Sequence, residues 1–320
     1  MKRKWLGLLP VAVAAVGLMM TPSSAADYPV STVRLITHSS PGGGTDVFLR
    51  QLAKHLSPIM GATFVVENVR GGGGAKAMAT LVNGAKDGSV FYGTTPSYVI
   101  TSLLSKPEAT YEDLDPVVNM FYDPQVVFVA KDSPYNSLSD LVKDAKERPN
   151  ALVVAVSTPS SLDRQVMEKL KTVTGTEMNI LTHDGGGDVM LSVLNGTAQA
   201  GIGEIAELRG QLEAGALRLI TTYTEERLAQ FPDVMTAKEQ GIDLVVRKFR
   251  GIAGAKGLPD NVIAAWEEGI AKLLEDPEFK AWYESEGVQK AFLNHEDARA
   301  LTNEFAEEMK VFFKEYNIVE

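Results

Sequence analysis

The chain contains no cysteine among its 320 residues. Disulfide bonds and thiolate metal sites are therefore excluded, as is a lipid anchor that needs a cysteine at the cleavage point of an exported protein. Histidine is scarce as well. His38, His55, His183 and His295 lie far apart in the sequence and do not show the paired spacing of zinc-binding helices.

Signatures of common enzyme classes are also missing. There is no phosphate-binding loop with its lysine and no Gly-x-Ser-x-Gly nucleophile elbow. Asp184 and Asp188 flank glycines and could act as general bases, although helix capping explains them more simply. We therefore expect no catalytic residue, no metal and no cofactor, and an enzyme remains the weaker alternative.

Positive charge is in short supply, with 31 Lys and Arg against 41 Asp and Glu and a formal charge of −10. This balance argues against nucleic acid or an anionic membrane surface as a partner. A small anionic ligand is still compatible with it. Surface charges are screened beyond about 8 Å at physiological salt, whereas backbone N–H groups act at contact distance.

The only long apolar run is at the N-terminus, where basic Met1–Lys4 is followed by apolar residues 6–20 and small residues up to Ala26. This order is typical of a secretory signal peptide. The apolar run has about 15 residues and contains Pro10, whereas a membrane-spanning helix needs about 20. We expect residues 1–26 to direct export to the periplasm, with cleavage after Ala25 or Ala26.

Two glycine-rich loops, residues 39–46 and 67–74, each follow a strand-like run and precede a helix-like one. Helix N-termini carry partial positive charge, and glycine lets a ligand approach the backbone closely. The pair predicts an anion clamp, with an organic carboxylate as the first candidate ligand. Tight turning before a helix is the alternative explanation.

The same strand, loop and helix unit recurs along the chain. Strand-like runs at 33–37, 63–67 and 91–94 form a first set, and runs at 152–156 and 179–183 form a second. Such alternation predicts an α/β protein with mainly parallel sheets, whose ligands bind at the carboxyl ends of the strands. We also predict that Thr45 or Asp46 caps the first helix.

Two similar runs, 126–131 and 251–256, are predicted to be hinge segments between two lobes. The mature chain is long enough for two domains. The predicted division places residues 27–125 and 251–320 in lobe 1 and residues 126–250 in lobe 2.

The ordered motifs resemble one family, the periplasmic solute-binding receptors of tripartite tricarboxylate transporters, also called Bug receptors. The resemblance covers essentially the whole mature chain and is carried by Tyr28-Pro29, the loop 41–46, Glu67-Asn68 with the glycines 71–74, Asp87-Gly88 and Gly257-Leu258-Pro259. It implies a two-lobed periplasmic-binding-protein fold of type II-like form. Its cleft closes on a small organic carboxylate, and a membrane permease with a large and a small subunit receives the ligand. A monomer suits such a shuttling receptor.

The resemblance also implies the ligand-binding residues, which come from loops in both lobes. They are Ser39, Ser40, Gly42, Gly43, Thr45 and Asp46 in the first loop; Gly72, Gly73 and Gly74 in the second; Thr95 and Ser97 in the third; and Ser157, Thr158, Ser160, Ser161, Arg164, Asp184 and Gly185 in lobe 2. Among these, Asp46 is expected to order its loop rather than touch an anion.

Several departures from the family pattern leave the ligand open between a dicarboxylate and an aromatic carboxylate. Arg164 could pair with a second carboxylate or lie in solvent. A solvated strand edge is the expected place of Arg247, Lys248 and Arg250. In the alternative, strand alternation lets either Arg247 or the pair Lys248 and Arg250 face the cleft, but not both. Glu204 stands where the family often has an aspartate that can contact the amine of a ligand. This difference makes an amino-acid ligand less certain for this chain. Tyr98 could flank the ligand or pack in the core, and a sensory receptor for a histidine kinase is an alternative to transport.

Overall fold

The computed structural model describes residues 28–315 as two mixed sheets covered by helices. The predicted signal peptide and its cleavage site at Ala25 or Ala26 lie outside the described residues. The strands are β1 (Thr32–Thr37), β2 (Thr63–Asn68), β3 (Val90–Thr94), β4 (Leu114–Asp123), β5 (Val126–Ala130), β6 (Val153–Val156), β7 (Asn179–Thr182), β8 (Ala200–Gly203), β9 (Leu217–Thr222), β10 (Lys248–Ala255) and β11 (Gln289–Leu293). The α-helices are α1 (Gly44–Met60), α2 (Ala75–Val82), α3 (Pro96–Ser105), α4 (Leu138–Glu147), α5 (Leu162–Thr174), α6 (Gly186–Leu194), α7 (Ile205–Glu213), α8 (Asp260–Leu274), α9 (Pro277–Ser285) and α10 (His295–Glu315).

Each sheet contains three parallel strands from the repeated units and further antiparallel strands. The first sheet has the order β11-β4-β10-β3-β1-β2, and the second has the order β7-β6-β8-β5-β9. β1 pairs in parallel with β2 and β3, and β6 does so with β7 and β8. In contrast, β10 runs antiparallel to both β3 and β4. The prediction of mainly parallel sheets is therefore wrong, because only strands joined by helical crossovers must run parallel.

The chain crosses between the sheets twice. It leaves the first sheet after Asp123 and enters the second at Val126, and it returns through residues 223–247 to β10. The two segments predicted as hinges are each part of the first strand after a crossing. β10 begins at Lys248, before the predicted boundary at 250/251, and that exact division of the lobes stays a prediction.

Apolar side chains of the amphipathic helices form the core on both sides of each sheet. In lobe 1, Trp266 of α8 is fully buried, and the centroid of its ring lies 4.6 Å from that of the tilted Phe91 ring. In α1, the side chains of Leu49, Leu52 and Leu56 are buried in the same core.

The C-terminal helix α10 contributes to both cores. Ala306 packs in lobe 1, whereas Met309 and Phe313 join the lobe 2 core with Val166 of α5. No helix between residues 28 and 315 has the length and apolar character required to cross a bilayer.

Candidate functional site

The N-termini of α1 and α6 meet across the cleft between the lobes. Their N-cap residues are Gly43 and Gly185, and neither provides a side-chain cap. Ser40 of the first loop lies so close to Gly185 that a Cβ on this glycine would overlap the serine hydroxyl. Two helix N-termini whose own N-cap residues carry no side chain therefore direct partial positive charge into one narrow space.

Asp46 orders the first loop from inside it. Its carboxylate accepts hydrogen bonds from Gly42 N–H at 2.9 Å and Asn68 Nδ2 at 2.9 Å, and it pairs with Arg50 at 2.9 Å. Burial by itself raises the pKa of Asp46, but the bonds from Arg50, Gly42 and Asn68 outweigh it and hold the pKa below its usual value. The prediction that Thr45 or Asp46 is the N-cap is wrong, because the helix begins one residue after Gly43 and Asp46 reaches back to the loop.

The second glycine loop contacts lobe 2 directly. Gly73 has φ of +62°, and its carbonyl accepts a hydrogen bond from the Thr101 hydroxyl at 2.6 Å. The Thr101 hydroxyl is also directed at the Ser160 hydroxyl, which lies 2.6 Å away and can accept its hydrogen bond instead. This chain of bonds connects the second loop to the loop before α5.

The loop before α5 caps its own helix and faces the cleft. The Ser161 hydroxyl accepts from Arg164 N–H at 3.2 Å, and the Ser157 hydroxyl donates to Asp163. Thr158 Oγ1 is buried and has no hydrogen-bond partner within residues 28–315. A buried hydroxyl without a partner costs free energy, so this one marks a position where a ligand atom could bind.

Arg164 lies away from the cleft lining. Its guanidinium is 3.5 Å from Glu168, four residues along α5, and 40% of its side chain is exposed. The cap made by Ser161 directs the first turn of α5 so that Arg164 follows the helix surface. Of the two alternatives for this residue, the structure places it on that surface.

Strand alternation in β10 sends Lys248 and Arg250 into the cleft. Both side chains are buried, so the expectation of a solvated strand edge is wrong for them, and both are already paired. Lys248 pairs with Glu204 and lies 3.4 Å from Asp163. Arg250 pairs with Asp123, lies 3.5 Å from Glu204 and donates to the Thr45 hydroxyl at 2.9 Å.

Arg247 and Phe249 point to the other side of β10, where they line a separate cavity between α5 and α10. Tyr98 also lies outside the cleft. It is fully buried, and its hydroxyl shares a hydrogen bond with the Thr302 hydroxyl at 3.0 Å. Its ring packs edge-on against Phe249. The structure thus assigns Tyr98 to the core.

Glu207 of α7 reaches from lobe 2 to the first loop of lobe 1. Its Oε2 accepts a hydrogen bond from Gly44 N–H at 3.1 Å, and its Oε1 accepts one from Glu204 N–H at 3.2 Å. No ion pair of Glu207 occurs in the part of the chain that the structure describes. Burial first, and then the charges of Asp163 and Asp123, raise the pKa of Glu207 to about 8 against the opposing effect of Arg250.

His38 completes the wall beside the second loop. Its Nδ1 lies 2.5 Å from the Tyr92 hydroxyl. Burial, Lys248 and Arg250 lower the pKa of His38 to about 4, so the ring is neutral at physiological pH. Burial also lowers the pKa of Lys248, against the opposing effect of Asp163. The lysine and arginine side chains that line the chamber are Lys248 and Arg250 of β10.

These side chains enclose a chamber of about 40 Å³ between the lobes. Of the predicted ligand-binding residues, the chamber is lined by Ser39, Thr45, Thr95, Ser157, Thr158, Asp184 and Gly185. Its lining also includes His38, Gly44, Asp163, Gly186, Glu204, Glu207, Lys248 and Arg250, which the site prediction did not contain. The volume equals little more than one water's share of the liquid, so an organic ligand requires the lobes to separate further.

The remaining predicted residues surround the chamber or shape its loops. Contacts at the edge of the chamber are made by Ser40, Gly73, Gly74 and Ser160. The two glycine loops are built by Gly42, Gly43, Asp46 and Gly72. Ser97 is buried behind Thr95, and its N–H donates to the Thr95 hydroxyl at 3.2 Å. Asp184 is mostly exposed and forms an ion pair with Arg70 across the cleft at 2.8 Å. Ser161 serves as a cap.

The one sequence signal for Glu207 was its spacing from Glu204, which is typical of a capping box at a helix start. That spacing predicts a helix, but it cannot show which loop of the other lobe the helix end faces. The same applies to Asp163, whose position near a helix N-terminus is ordinary for an acidic residue.

Known proteins show the same architecture. The chain can be superposed on a periplasmic transporter with a TM-score of 0.86 at 23% identity, covering 91% of this chain and 99% of that one. It matches the periplasmic binding protein BugD with a TM-score of 0.84 at 21% identity, covering 90% and 98% of the two chains. At these identities the likeness shows the fold, a two-lobed periplasmic-binding-protein architecture.

The similarity to sequence relatives extends over nearly the full length of the chain. The chain is 26% identical to BugT of Bordetella pertussis over 299 residues, covering 92% of this chain and 91% of the relative. It is 26% identical to a Cupriavidus necator protein from the gbd 5' region over 318 residues, covering 97% and 95%. The model for the tripartite tricarboxylate transporter family receptor matches residues 48–318. The chain therefore belongs to the tripartite tricarboxylate transporter receptor family, a family of periplasmic solute-binding proteins rather than enzymes.

Proposed function

We propose that this protein captures a small organic carboxylate between its lobes and delivers it to a membrane permease with a large and a small subunit. The observation that carries the proposal is the convergence on one chamber of the α1 and α6 N-termini, whose N-cap glycines carry no side chain. Among the structural neighbours, a Rhodopseudomonas palustris protein was solved with adipate and MatC from the same species with malate. These ligands support a carboxylate for this chain as well.

In the proposed cycle the ligand carboxylate first binds the two glycine loops of lobe 1. Closure then brings the loop 157–161 and the N-terminus of α6 over its far end. Three or four charge-assisted hydrogen bonds, each worth about 1.5–3 kcal/mol net, are enough for the ~8 kcal/mol of a micromolar complex after the costs of ordering and closure. No bond of the ligand has to change.

The proposal includes export. Residues 1–26 would be removed in the periplasm after Ala25 or Ala26, and the mature chain would work as a monomer. Intact mass measurement of the protein recovered from the periplasm tests the cleavage point. Size-exclusion chromatography with light scattering tests the monomer.

The binding proposal is tested by a thermal-shift screen of the mature chain after removal of co-purified ligand by unfolding and refolding. Carboxylates with one, two and three carboxyl groups and aromatic carboxylates form the panel, with sugars and simple amines as controls. A ligand at a hundred times its Kd stabilises the folded state by about 2.7 kcal/mol. A response to sugars or simple amines with none to any carboxylate would overturn the proposal.

Delivery is tested separately by pull-down with the loaded receptor. Retention of a permease subunit from the membrane fraction supports transport. Retention of a histidine kinase ectodomain without any permease subunit would assign the protein to sensing instead.

A further inference from the structure

Besides the exposed Asp184, five charged side chains line the chamber, and a sixth, Asp123, pairs with Arg250. The acidic groups are in excess in this set of six. The carboxylates belong to Asp123, Asp163, Glu204 and Glu207, and the cations belong to Lys248 and Arg250. Each cation already has two carboxylate neighbours. Neither one is available to a second carboxylate of a ligand without losing a buried partner, which is strongly unfavourable.

Glu207 is the carboxyl group of this set that no cation within the described residues pairs with. It bonds to Gly44 N–H, at the very helix N-terminus where a ligand carboxylate would bind. It also lies against Gly186, whose added Cβ would overlap the Glu207 carboxyl group. Glu207 therefore sits between the N-termini of α1 and α6, beside the position proposed for the ligand.

A second observation indicates that a polar ligand group belongs in the chamber. Thr158 Oγ1 lines the same chamber, is buried, and has no partner within residues 28–315. A hydroxyl in this position can accept a hydrogen bond from a ligand ammonium. The site thus offers one carboxyl group and one hydroxyl oxygen to a donor.

We infer that Glu207 is a specificity-determining residue that selects a ligand carrying one carboxylate and one ammonium group, and that it disfavours a second carboxylate. This inference rests on the proposed function, since the ligand's own carboxylate binds the glycine loops as proposed above. It replaces the expectation that extra arginines favour a dicarboxylate, because Arg250 is fully paired and Arg164 and Arg247 lie outside the chamber lining.

The physical reason is the local charge. With Glu207 protonated, the remaining five charged groups of the set leave one negative charge in excess. A ligand ammonium compensates that charge and favours the ionised form of Glu207, whereas a second carboxylate adds like charge to a buried site. The raised pKa of Glu207, about 8, means that the group is mostly protonated at pH 7 before binding.

Binding of an ammonium should therefore release a proton from Glu207. The titratable and charged groups that face Glu207 from the surrounding elements are His38 after β1, Asp123 on β4, Asp163 on α5, Asp184 before α6, Glu204 at the start of α7, and Lys248 and Arg250 on β10. His38 is neutral because its pKa is lowered to about 4, so it does not contribute a proton near pH 7.

The test uses ligands that differ in one group only. Acids with chains of three to five carbons carry an ammonium, a hydroxyl or a second carboxyl at the far end, as in 4-aminobutyrate, 4-hydroxybutyrate and succinate. Affinities are measured by isothermal titration calorimetry at pH 7 in buffers with different ionisation enthalpies, which also gives the number of protons released.

In the wild type we expect the amino acid to bind at least tenfold more tightly than the dicarboxylate of equal length, with release of close to one proton. In Glu207→Gln this ratio should fall below threefold, and the proton release should disappear. Glutamine keeps the capping-box geometry of α7, so the helix is retained. Circular dichroism and the melting temperature verify that the variant is folded.

The matched control is Glu286→Gln. Glu286 is also a carboxylate between the lobes, paired with Arg209 at 2.9 Å, but it lies outside the chamber. We expect this variant to change all affinities by a similar factor and to leave the ratio and the proton release intact.

The outcomes separate the two proposals. A wild type that binds dicarboxylates as tightly as amino acids, or a ratio that Glu207→Gln does not alter, overturns the role of Glu207 while carboxylate binding stands. Failure of every carboxylate in the panel, with or without an ammonium, overturns the proposed function and this inference together.

Discussion

Gly73 is required for two independent reasons. Its φ of +62° is rarely adopted by other residues, and a Cβ at this position would overlap the Ser160 hydroxyl of lobe 2. The first reason concerns the folding of the loop, and the second concerns how closely the lobes approach. A substitution here therefore affects binding more than its effect on stability alone would suggest.

We expect Gly73→Val to weaken carboxylate binding at least tenfold, because the valine holds Ser160 and the loop before α5 away from the second glycine loop. Isothermal titration calorimetry measures the loss, and circular dichroism checks the fold. Gly210→Ala is the control, since a Cβ there meets nothing within 4 Å. Unchanged affinity in a folded Gly73→Val protein would contradict the clamp.

Asp46 gives a prediction for pH dependence. Its pKa is held below the usual value in the folded protein, so its contribution to stability is present above the unfolded pKa of about 4 and is lost as pH falls through the folded value. Asp46→Asn should destabilise the protein by about 1–3 kcal/mol at pH 7.

The measurement for Asp46→Asn is the melting temperature of both proteins between pH 7 and pH 3. The gap between them should be a few degrees at pH 7 and should narrow below about pH 4. A gap that stays constant down to pH 3 would mean that the Asp46 charge does not order the first loop.

At the scale of single residues, the sequence predicted the loops better than the chamber they surround. Ser39, Thr45 and Thr158 could be placed because they follow strands of the repeated units. Glu207 could not, because its contact with Gly44 joins residues that are 163 positions apart. The sequence showed by strand alternation that Lys248 and Arg250 share one face of their strand. Which face lines the cleft depends on how β10 is placed in the first sheet.

At the scale of elements, α8 shows how the lobe 1 helices are held on their sheet. Trp266 is fully buried, its ring packs against Phe91 and Phe64, and its Nε1 donates to the Tyr28 hydroxyl at 3.1 Å. Trp266→Ala should reduce the free energy of unfolding by about 3–5 kcal/mol through the cavity that it leaves.

Urea unfolding followed by circular dichroism measures this effect. Trp282→Ala is the matched control, because Trp282 lies on the neighbouring helix α9 and is only partly buried. A loss for Trp266→Ala no larger than that for Trp282→Ala would contradict the view that α8 is anchored at this point.

The strand and helix units were predictable because their signals are local: apolar periodicity in α1 and β-branched runs in β1 and β6. The antiparallel strands were not, because β4, β10 and β11 pair across long stretches of sequence. The strand-like run at 251–256 indicated a strand, but no local signal states that it lies between β3 and β4.

At the scale of the whole molecule, the lobes are also held together outside the chamber. Arg209 of α7 pairs with Glu286 at 2.9 Å and donates to the Ser285 carbonyl at 2.5 Å. Arg209→Ala should make closure less favourable, which raises the radius of gyration and weakens ligand binding by about three- to tenfold.

Small-angle X-ray scattering and calorimetry test this prediction on the same samples. Arg227→Ala is the control, because Arg227 pairs with Glu239 inside lobe 2 at 2.9 Å. If Arg209→Ala and Arg227→Ala give the same scattering curve as the wild type, the contact at Glu286 does not influence closure.

The position of β10 between β3 and β4 has a consequence for the order in which the chain acquires its structure. All five strands of the second sheet lie between residues 126 and 222, so that sheet can assemble as soon as this stretch of the chain is free to fold. The first sheet has to wait, because β3 and β4 are joined only through a strand that begins at Lys248. The first sheet is therefore completed after the second and through more distant contacts, which favours slow assembly and longer exposure to aggregation.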